Sequence, residues 1–204
     1  MKEMPSFRIL LLGDSTVGKT SFLNRYLGES FENYNLATHG IESRFQQIKV
    51  DNQEIMLRIY DTAGEERYKS LVTNYYRGAD GIILIYDIGN KNSFESITQW
   101  IENIKEATKY ENLAIVVCAN KCDLEENEKQ VKSKEKDELE NEIDLKIIET
   151  SAKLDINVKE TFDNLVKKMM KLKKEIKNEN LSLENTIKIK KENNNNICLN
   201  LKHC

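Results

Sequence analysis

Gly13-Asp14-Ser15-Thr16-Val17-Gly18-Lys19-Thr20 decides the fold. The stretch has the form G-x-x-x-x-G-K-[ST], and its flanks give that form meaning. Before it runs Phe7-Arg8-Ile9-Leu10-Leu11-Leu12, short, apolar and strand-like. After it comes Ser21-Phe22-Leu23-Asn24-Arg25-Tyr26-Leu27, with apolar residues at 22, 23, 26 and 27 as a helix would space them. A strand feeding a glycine-bearing turn into a helix N-terminus leaves several backbone N–H groups unpaired and pointing one way. With the positive end of the helix dipole they form an anion nest sized for phosphates. Lys19 is placed to reach the outer phosphates, and the Thr20 hydroxyl to ligate Mg²⁺.

The chain around this turn has 204 residues, enough for one domain with a substantial core. Its 31 basic and 34 acidic residues leave a net charge of −3, which argues against a nucleic-acid partner. No stretch approaches the apolar length of a membrane span, no secretory leader is visible, and no glycine follows Met1 for myristoylation. Cys118, Cys122, Cys198 and Cys204 make no disulfide framework. Cys118 and Cys122 lack a second pair or histidine to complete a metal site, so free thiols in a reducing cytosol are expected.

Further along, Tyr34 to Gly40 is polar and mixed, and reads as a loop. Arg44 to Val50 alternates as a half-buried strand, Asp51-Asn52-Gln53 turns, and Ile55 to Tyr60 returns, which predicts a hairpin. Gly81 to Tyr86 and Leu113 to Cys118 are near-continuous apolar runs, as in strands covered on both faces. Leu145 to Glu149 reads as a last strand. Phe94, Ile97, Ile101 and Ile104 predict a helix capped by Ser93, and Phe162, Leu165, Val166, Met169 and Leu172 predict another. Both stripes are read as core. Alternating strands and helices predict an α/β doubly wound sheet, with ligands outside the strand carboxyl ends.

Three more segments narrow the ligand. Asp61-Thr62-Ala63-Gly64 follows a strand, where a carboxylate can hold Mg²⁺ through water and Gly64 N–H can approach a γ-phosphate. Asn120-Lys121-Cys122-Asp123 follows the strand expected to end at Cys118. The Asp123 carboxylate can accept from guanine N1–H and N2–H₂, a donor pair that adenine lacks, so adenine would leave polar groups unpaired. The Lys121 stem can cover the base and Phe31 can stack on its other side. Thr150-Ser151-Ala152-Lys153, after the last strand, can supply a backbone N–H to guanine O6.

With four such elements in this order, the chain resembles the Ras-like small GTPases over residues 6 to about 175. Within them it is similar to the Rab family, on Gly13-Asp14-Ser15, Glu66-Arg67-Tyr68-Lys69-Ser70-Leu71, Tyr75-Tyr76-Arg77-Gly78-Ala79-Asp80-Gly81 and Leu84-Ile85-Tyr86-Asp87-Ile88. The resemblance implies a P-loop GTPase fold: a mostly parallel six-stranded sheet with one antiparallel strand, and helices on both faces. It implies GTP/GDP and Mg²⁺ as ligands, slow GTP hydrolysis, and a switch that recruits effectors in vesicle trafficking. Nucleotide contacts are expected from Asp14, Ser15, Thr16, Val17, Gly18, Lys19, Thr20, Ser21, Phe31, Thr38, Gly64, Asn120, Lys121, Asp123, Ser151, Ala152 and Lys153. Mg²⁺ is expected on Thr20, Thr38 and Asp61, and catalysis on Lys19, Thr38, Gly64 and Glu65.

Five positions depart from the family pattern. Glu65 stands where a water-orienting glutamine is usual; glutamate can still accept from water, but it adds negative charge beside the γ-phosphate. That motivates an alternative, a GTP-bound interaction module with little or no hydrolysis. Ser43 replaces a phenylalanine of the effector face next to His39, which replaces an aliphatic residue. Tyr60 stands for a tryptophan, and Thr16 for a loop glycine. A third reading, an ATP-using P-loop enzyme, is opposed by Asn120-Lys121-Cys122-Asp123. The switch loops are expected around 32–43 and 63–75.

Residues 1–176 are expected to form the G domain, monomeric, and 177–204 a disordered tail, because Lys/Glu/Asn-rich sequence ending in Asn193 to Asn196 offers little apolar surface. From Lys171 to Cys204 there are eight lysines against four glutamates. The end is not C-a-a-X, yet Rab proteins commonly carry geranylgeranyl groups on cysteines near the C-terminus, which makes Cys204 the lipidation candidate. One lipid anchors marginally without a second signal such as basic residues. The resemblance further implies an exchange factor, a GTPase-activating protein, a GDP-dissociation inhibitor or escort protein, and effectors. It places the chain in the cytoplasm, on the cytosolic face of an endomembrane.

Overall fold

The computed structural model of the chain describes residues 4–32, 38, 40–62 and 75–178. Six strands form one sheet: β1 (Ser6–Leu12), β2 (Ile41–Val50), β3 (Gln53–Thr62), β4 (Gly81–Asp87), β5 (Ala114–Asn120) and β6 (Ile147–Glu149). Their order across the sheet is β2-β3-β1-β4-β5-β6. Only β2 runs antiparallel to its neighbour; the other four pairings are parallel. Among the described residues they are accompanied by α1 (Lys19–Tyr26), α2 (Lys91–Ala107), α3 (Ser133–Ile143), and α4, helical over 158–178. The chain divides into two compact units, residues 1–169 and 170–204; the described part of the second, 170–178, is helical throughout.

The central strands are buried on both faces, and alternation sorts their side chains. Leu10, Leu12, Ile82, Leu84 and Tyr86 share one apolar cluster with Phe94, Ile97, Ile101 and Ile104 of α2 and Leu139 and Ile143 of α3. Ile9, Leu11, Ile83 and Ile85, of opposite parity, are fully buried on the other side. There Phe22 and Tyr26 of α1 stack on Phe162 of α4, with ring centroids 5.9 and 3.6 Å apart. Gly81 leaves room for Met169 and Leu165, whose atoms a Cβ would meet at 2.7 and 3.0 Å. Helices therefore cover both faces of the sheet, as the resemblance implies.

Register does the positioning. Leu11 pairs Asp61, Leu12 pairs Leu84, Asp87 pairs Asn120 and Ala119 pairs Glu149. The carboxyl ends of the parallel strands are thus nearly flush, and the segments that follow them leave from one edge.

Local details differ from the sequence reading. β5 runs two residues beyond Cys118, so Asn120 closes the strand; Asp61 and Thr62 likewise close β3. The hairpin turn is only Asp51-Asn52, with φ of 49° and 62°, and Gln53 already pairs Val50. That mirror-image two-residue turn matches the strand twist. The cap of α2 is Asn90, whose Oδ1 accepts from Asn92 and Ser93 N–H, while Ser93 is buried inside the first turn. Helix α3 has no counterpart in the periodicity reading, because only Leu139 and Ile143 of its eleven residues are buried.

Candidate functional site

The turn between β1 and α1 is held open by two glycines that nothing else could replace. Gly13 has φ of 135°, and a Cβ there would lie 2.0 Å from the Ile85 carbonyl oxygen; Gly18 has φ of 97° and would meet Asn120 Nδ2 at 2.7 Å. Gly18 is also the N-cap of α1, and no side chain caps that end, so the first-turn N–H groups keep their donors for an incoming anion.

Lys19, the first helical residue, is buried, and its Nζ donates to the carbonyls of Gly13 (2.9 Å) and Asp14 (2.7 Å). Burial lowers its pKa from 10.5 to about 8, against the opposing pull of Asp61 and Asp14. A desolvated ammonium held only by carbonyls is poised for an anion, which would restore its affinity for the proton. Next to it, Thr20 Oγ1 donates to Asp61 Oδ2 (2.6 Å) and accepts from Thr38 Oγ1 (2.7 Å). The second carboxylate oxygen, Asp61 Oδ1, is buried and has no hydrogen-bond partner among the described residues. Burial pushes the Asp61 pKa up, and the Thr20 hydrogen bond and Lys19 oppose that. Three hard oxygen donors around one unsatisfied buried carboxylate oxygen suit Mg²⁺. The three residues expected to share a metal are therefore brought together.

At the far side of the same edge, Asn120 is buried and bonded through both amide atoms. Its Nδ2 donates to the Val17 carbonyl (2.8 Å), and its Oδ1 accepts from Ala152 N–H (3.3 Å) and Thr150 Oγ1 (3.4 Å). One amide thus ties three segments: the phosphate turn, β5 and the loop after β6. Asp123 receives Ser151 Oγ at 2.5 Å and faces Lys153 Nζ at 3.8 Å. Lys121, at φ 64°, sends its Nζ to the Thr16 carbonyl (3.2 Å) and to Asp87 Oδ2 (2.6 Å). Its stem is therefore laid along the phosphate turn. Asp123, Ser151, Ala152 and Lys153 are thus brought close together. Ser15 is exposed, Val17 buried, and Ser21 and Phe31 half-buried beside and beyond the turn. Gly64, Glu65 and Cys204 lie outside the described residues.

Two positioning residues escaped the sequence reading. Arg25 reaches from α1 to the carbonyls of Ala152 (3.0 Å) and Lys153 (3.1 Å), and Asp87 at the end of β4 anchors Lys121. Only a partner more than a hundred residues away distinguishes Arg25 from an ordinary helix-surface arginine.

Comparison with known proteins agrees with this geometry. The family model for the Ras family matches residues 8–171. The chain is 39% identical to Ras-related protein Rab-13 of Bos taurus over 195 residues, covering 94% of this chain and 95% of that protein. It is 43% identical to Ras-related protein Rab-8 of Diplobatis ommata, across 90% and 87% of the two chains. It is 44% identical to Ras-related protein Rab-3A of Homo sapiens, across 78% and 72%.

Proposed function

This chain belongs to the Rab family of Ras-type small GTPases, binds guanine nucleotide and hydrolyses GTP, and from that premise we propose that it is a GTP/GDP-cycling switch recruiting effectors in vesicle trafficking. The observation that carries the switch reading is the cluster of Lys19, Thr20, Thr38 and Asp61 at the ends of β1 and β3. Thr38 lies in one switch loop and Asp61 lies at the end of β3, two residues before the other, so a ligand that orders this cluster bears on both loops.

The residues divide the work of phosphoryl transfer. Lys19 and the N–H groups of the turn hold the phosphate oxygens where negative charge accumulates. Thr20, Thr38 and Asp61 would hold Mg²⁺, which supplies neutralisation of the phosphate oxygens when bound. Gly64 lets its N–H approach the terminal phosphate, and Glu65 orients the attacking water. Asp123 reads the guanine edge, Lys121 and Phe31 enclose the ring, and Ser151, Ala152 and Lys153 close the pocket. Arg25 is committed to two carbonyls, and no arginine of the sequence stands out as a built-in finger, so an activating protein is expected to supply one. Intrinsic turnover is then on the order of 10⁻⁴–10⁻³ per second.

The remaining reading follows the family. Residues 1–176 act as a monomeric G domain, and 177–204 as a tail with Cys204 prenylated, attached to the cytosolic face of an endomembrane. Among the described residues no helix is long and apolar enough to cross a membrane. An exchange factor, a GDP-dissociation inhibitor or escort protein, and effectors complete the cycle. A single-turnover hydrolysis course, with and without an activating protein, tests the switch. Slow turnover accelerated by the partner is expected; turnover that no activating protein changes would favour the interaction module that Glu65 motivates.

A further inference from the structure

Asp14 places a carboxylate inside a turn built to attract anions, which is an electrostatic liability. Its backbone carbonyl accepts from Lys19 Nζ, and its charge is near enough to act on that ammonium. A carboxylate left to turn inward would compete with phosphate for Lys19 and repel the phosphate charge. One contact directs it elsewhere: Trp100 Nε1–H of α2 donates to Asp14 Oδ1 at 2.9 Å, across 86 residues of sequence. Trp100 is itself 6% exposed, in the apolar cluster between α2 and the sheet, so the donor sits on a rigid support.

We propose that Trp100 is a positioning residue for nucleotide binding: its indole N–H holds the Asp14 carboxylate turned towards α2 and off the phosphate cradle. The inference rests on the guanine-nucleotide reading of the site. Phosphate-binding turns need donors and a single cation; an acidic side chain there is tolerable only while something fixes its direction. The indole supplies that direction without adding a second cation to compete for the ligand. It also couples α2 to the nucleotide, since motion of α2 would release the carboxylate.

The test is GDP release from the loaded full chain in a double-mutant cycle of Trp100→Phe and Asp14→Ala. Phenylalanine keeps most of the buried ring and removes the donor. Trp100→Phe should release GDP about tenfold faster, equivalent to ~1.4 kcal/mol. In the Asp14→Ala background the same change should alter release by less than about twofold, because no carboxylate remains to misdirect. A wild-type rate for Trp100→Phe, or an undiminished acceleration in the Asp14→Ala background, overturns the proposal. Trp100 is the chain's only tryptophan, so its emission reads the contact directly even if Trp100→Phe does not fold. The emission maximum should move in Asp14→Ala, and an unmoved maximum also overturns it. Failure of the wild-type chain to hold GDP at all would instead strike the nucleotide reading.

Discussion

Lys19 is the residue on which binding and titration meet. Lys19→Ala removes a charge-assisted phosphate contact and should weaken GDP or GTP binding by about 3 kcal/mol, read by equilibrium titration. Because burial brings its pKa down to about 8, the ligand-free protein loses this proton above that pH. Phosphate binds the protonated form, so affinity should fall as pH rises from 8 to 9, by up to tenfold per unit, and stay flat in Lys19→Arg. Stability of the ligand-free protein moves the other way. From pH 8 to 10.5 the unfolded chain holds the proton that the folded chain has lost, so this group's cost to folding is relieved as pH rises. On the proposed role of Glu65, its charge adds repulsion beside the terminal phosphate, so Glu65→Gln should speed single-turnover GTP hydrolysis; a slower variant would contradict that. At this scale the sequence showed which residues matter better than what they do. Lys19, Thr20 and Asp61 are legible because the motif fixes their distance from a strand end. Asn120 was legible as part of the base motif, but its amide is spent binding Val17, Thr150 and Ala152 together, a role that only the fold reveals. Arg25 and Trp100 carried no local signal, since their partners are 127 and 86 residues away.

Elements were legible where periodicity and burial agree. β1, β4 and β5 are largely apolar because both faces are covered, and each is found around its apolar run. The carboxyl ends of β3, β4 and β5 were not legible: Asp61, Thr62, Asp87 and Asn120 are polar residues in strand conformation, and all are buried. Helix α3 was invisible because two buried residues in eleven leave no stripe, and its order comes from ends rather than from a face. Lys132 N–H donates to the Glu135 carboxylate at the start of the helix, and Glu140 accepts from Ile147 N–H at the start of β6. The cap of α2 illustrates a competing candidate: Asn90 and Ser93 both suit the position, and Ser93 is drawn inside because Asp87 N–H donates to its hydroxyl. Asn90→Ala should therefore cost about 1 kcal/mol in denaturant unfolding, against a negligible effect if the cap were elsewhere. Gly13→Ala should cost at least ~3 kcal/mol, because its Cβ would collide with the Ile85 carbonyl oxygen and φ is 135°.

For the molecule as a whole, fold and site have one cause. Parallel pairing sets strand ends level, and the segments leaving β1, β3, β5 and β6 then have no choice but to meet at one edge. At that edge a buried ammonium and a buried carboxylate are held largely by backbone and hydroxyl groups, an arrangement suited to a phosphate with its metal. Loading should consequently stabilise the fold, by about 4 kcal/mol when free GDP exceeds its dissociation constant a thousandfold, seen as a raised melting temperature. The most direct measurement of the central claim is titration calorimetry of nucleotide-stripped protein with GDP and with ATP, each with magnesium. Uptake of one GDP per chain, with no detectable uptake of ATP, is the expected result. Absence of GDP binding, or ATP bound as tightly as GDP, would contradict the assignment of Lys19 and Asp123 to a single guanine-nucleotide site.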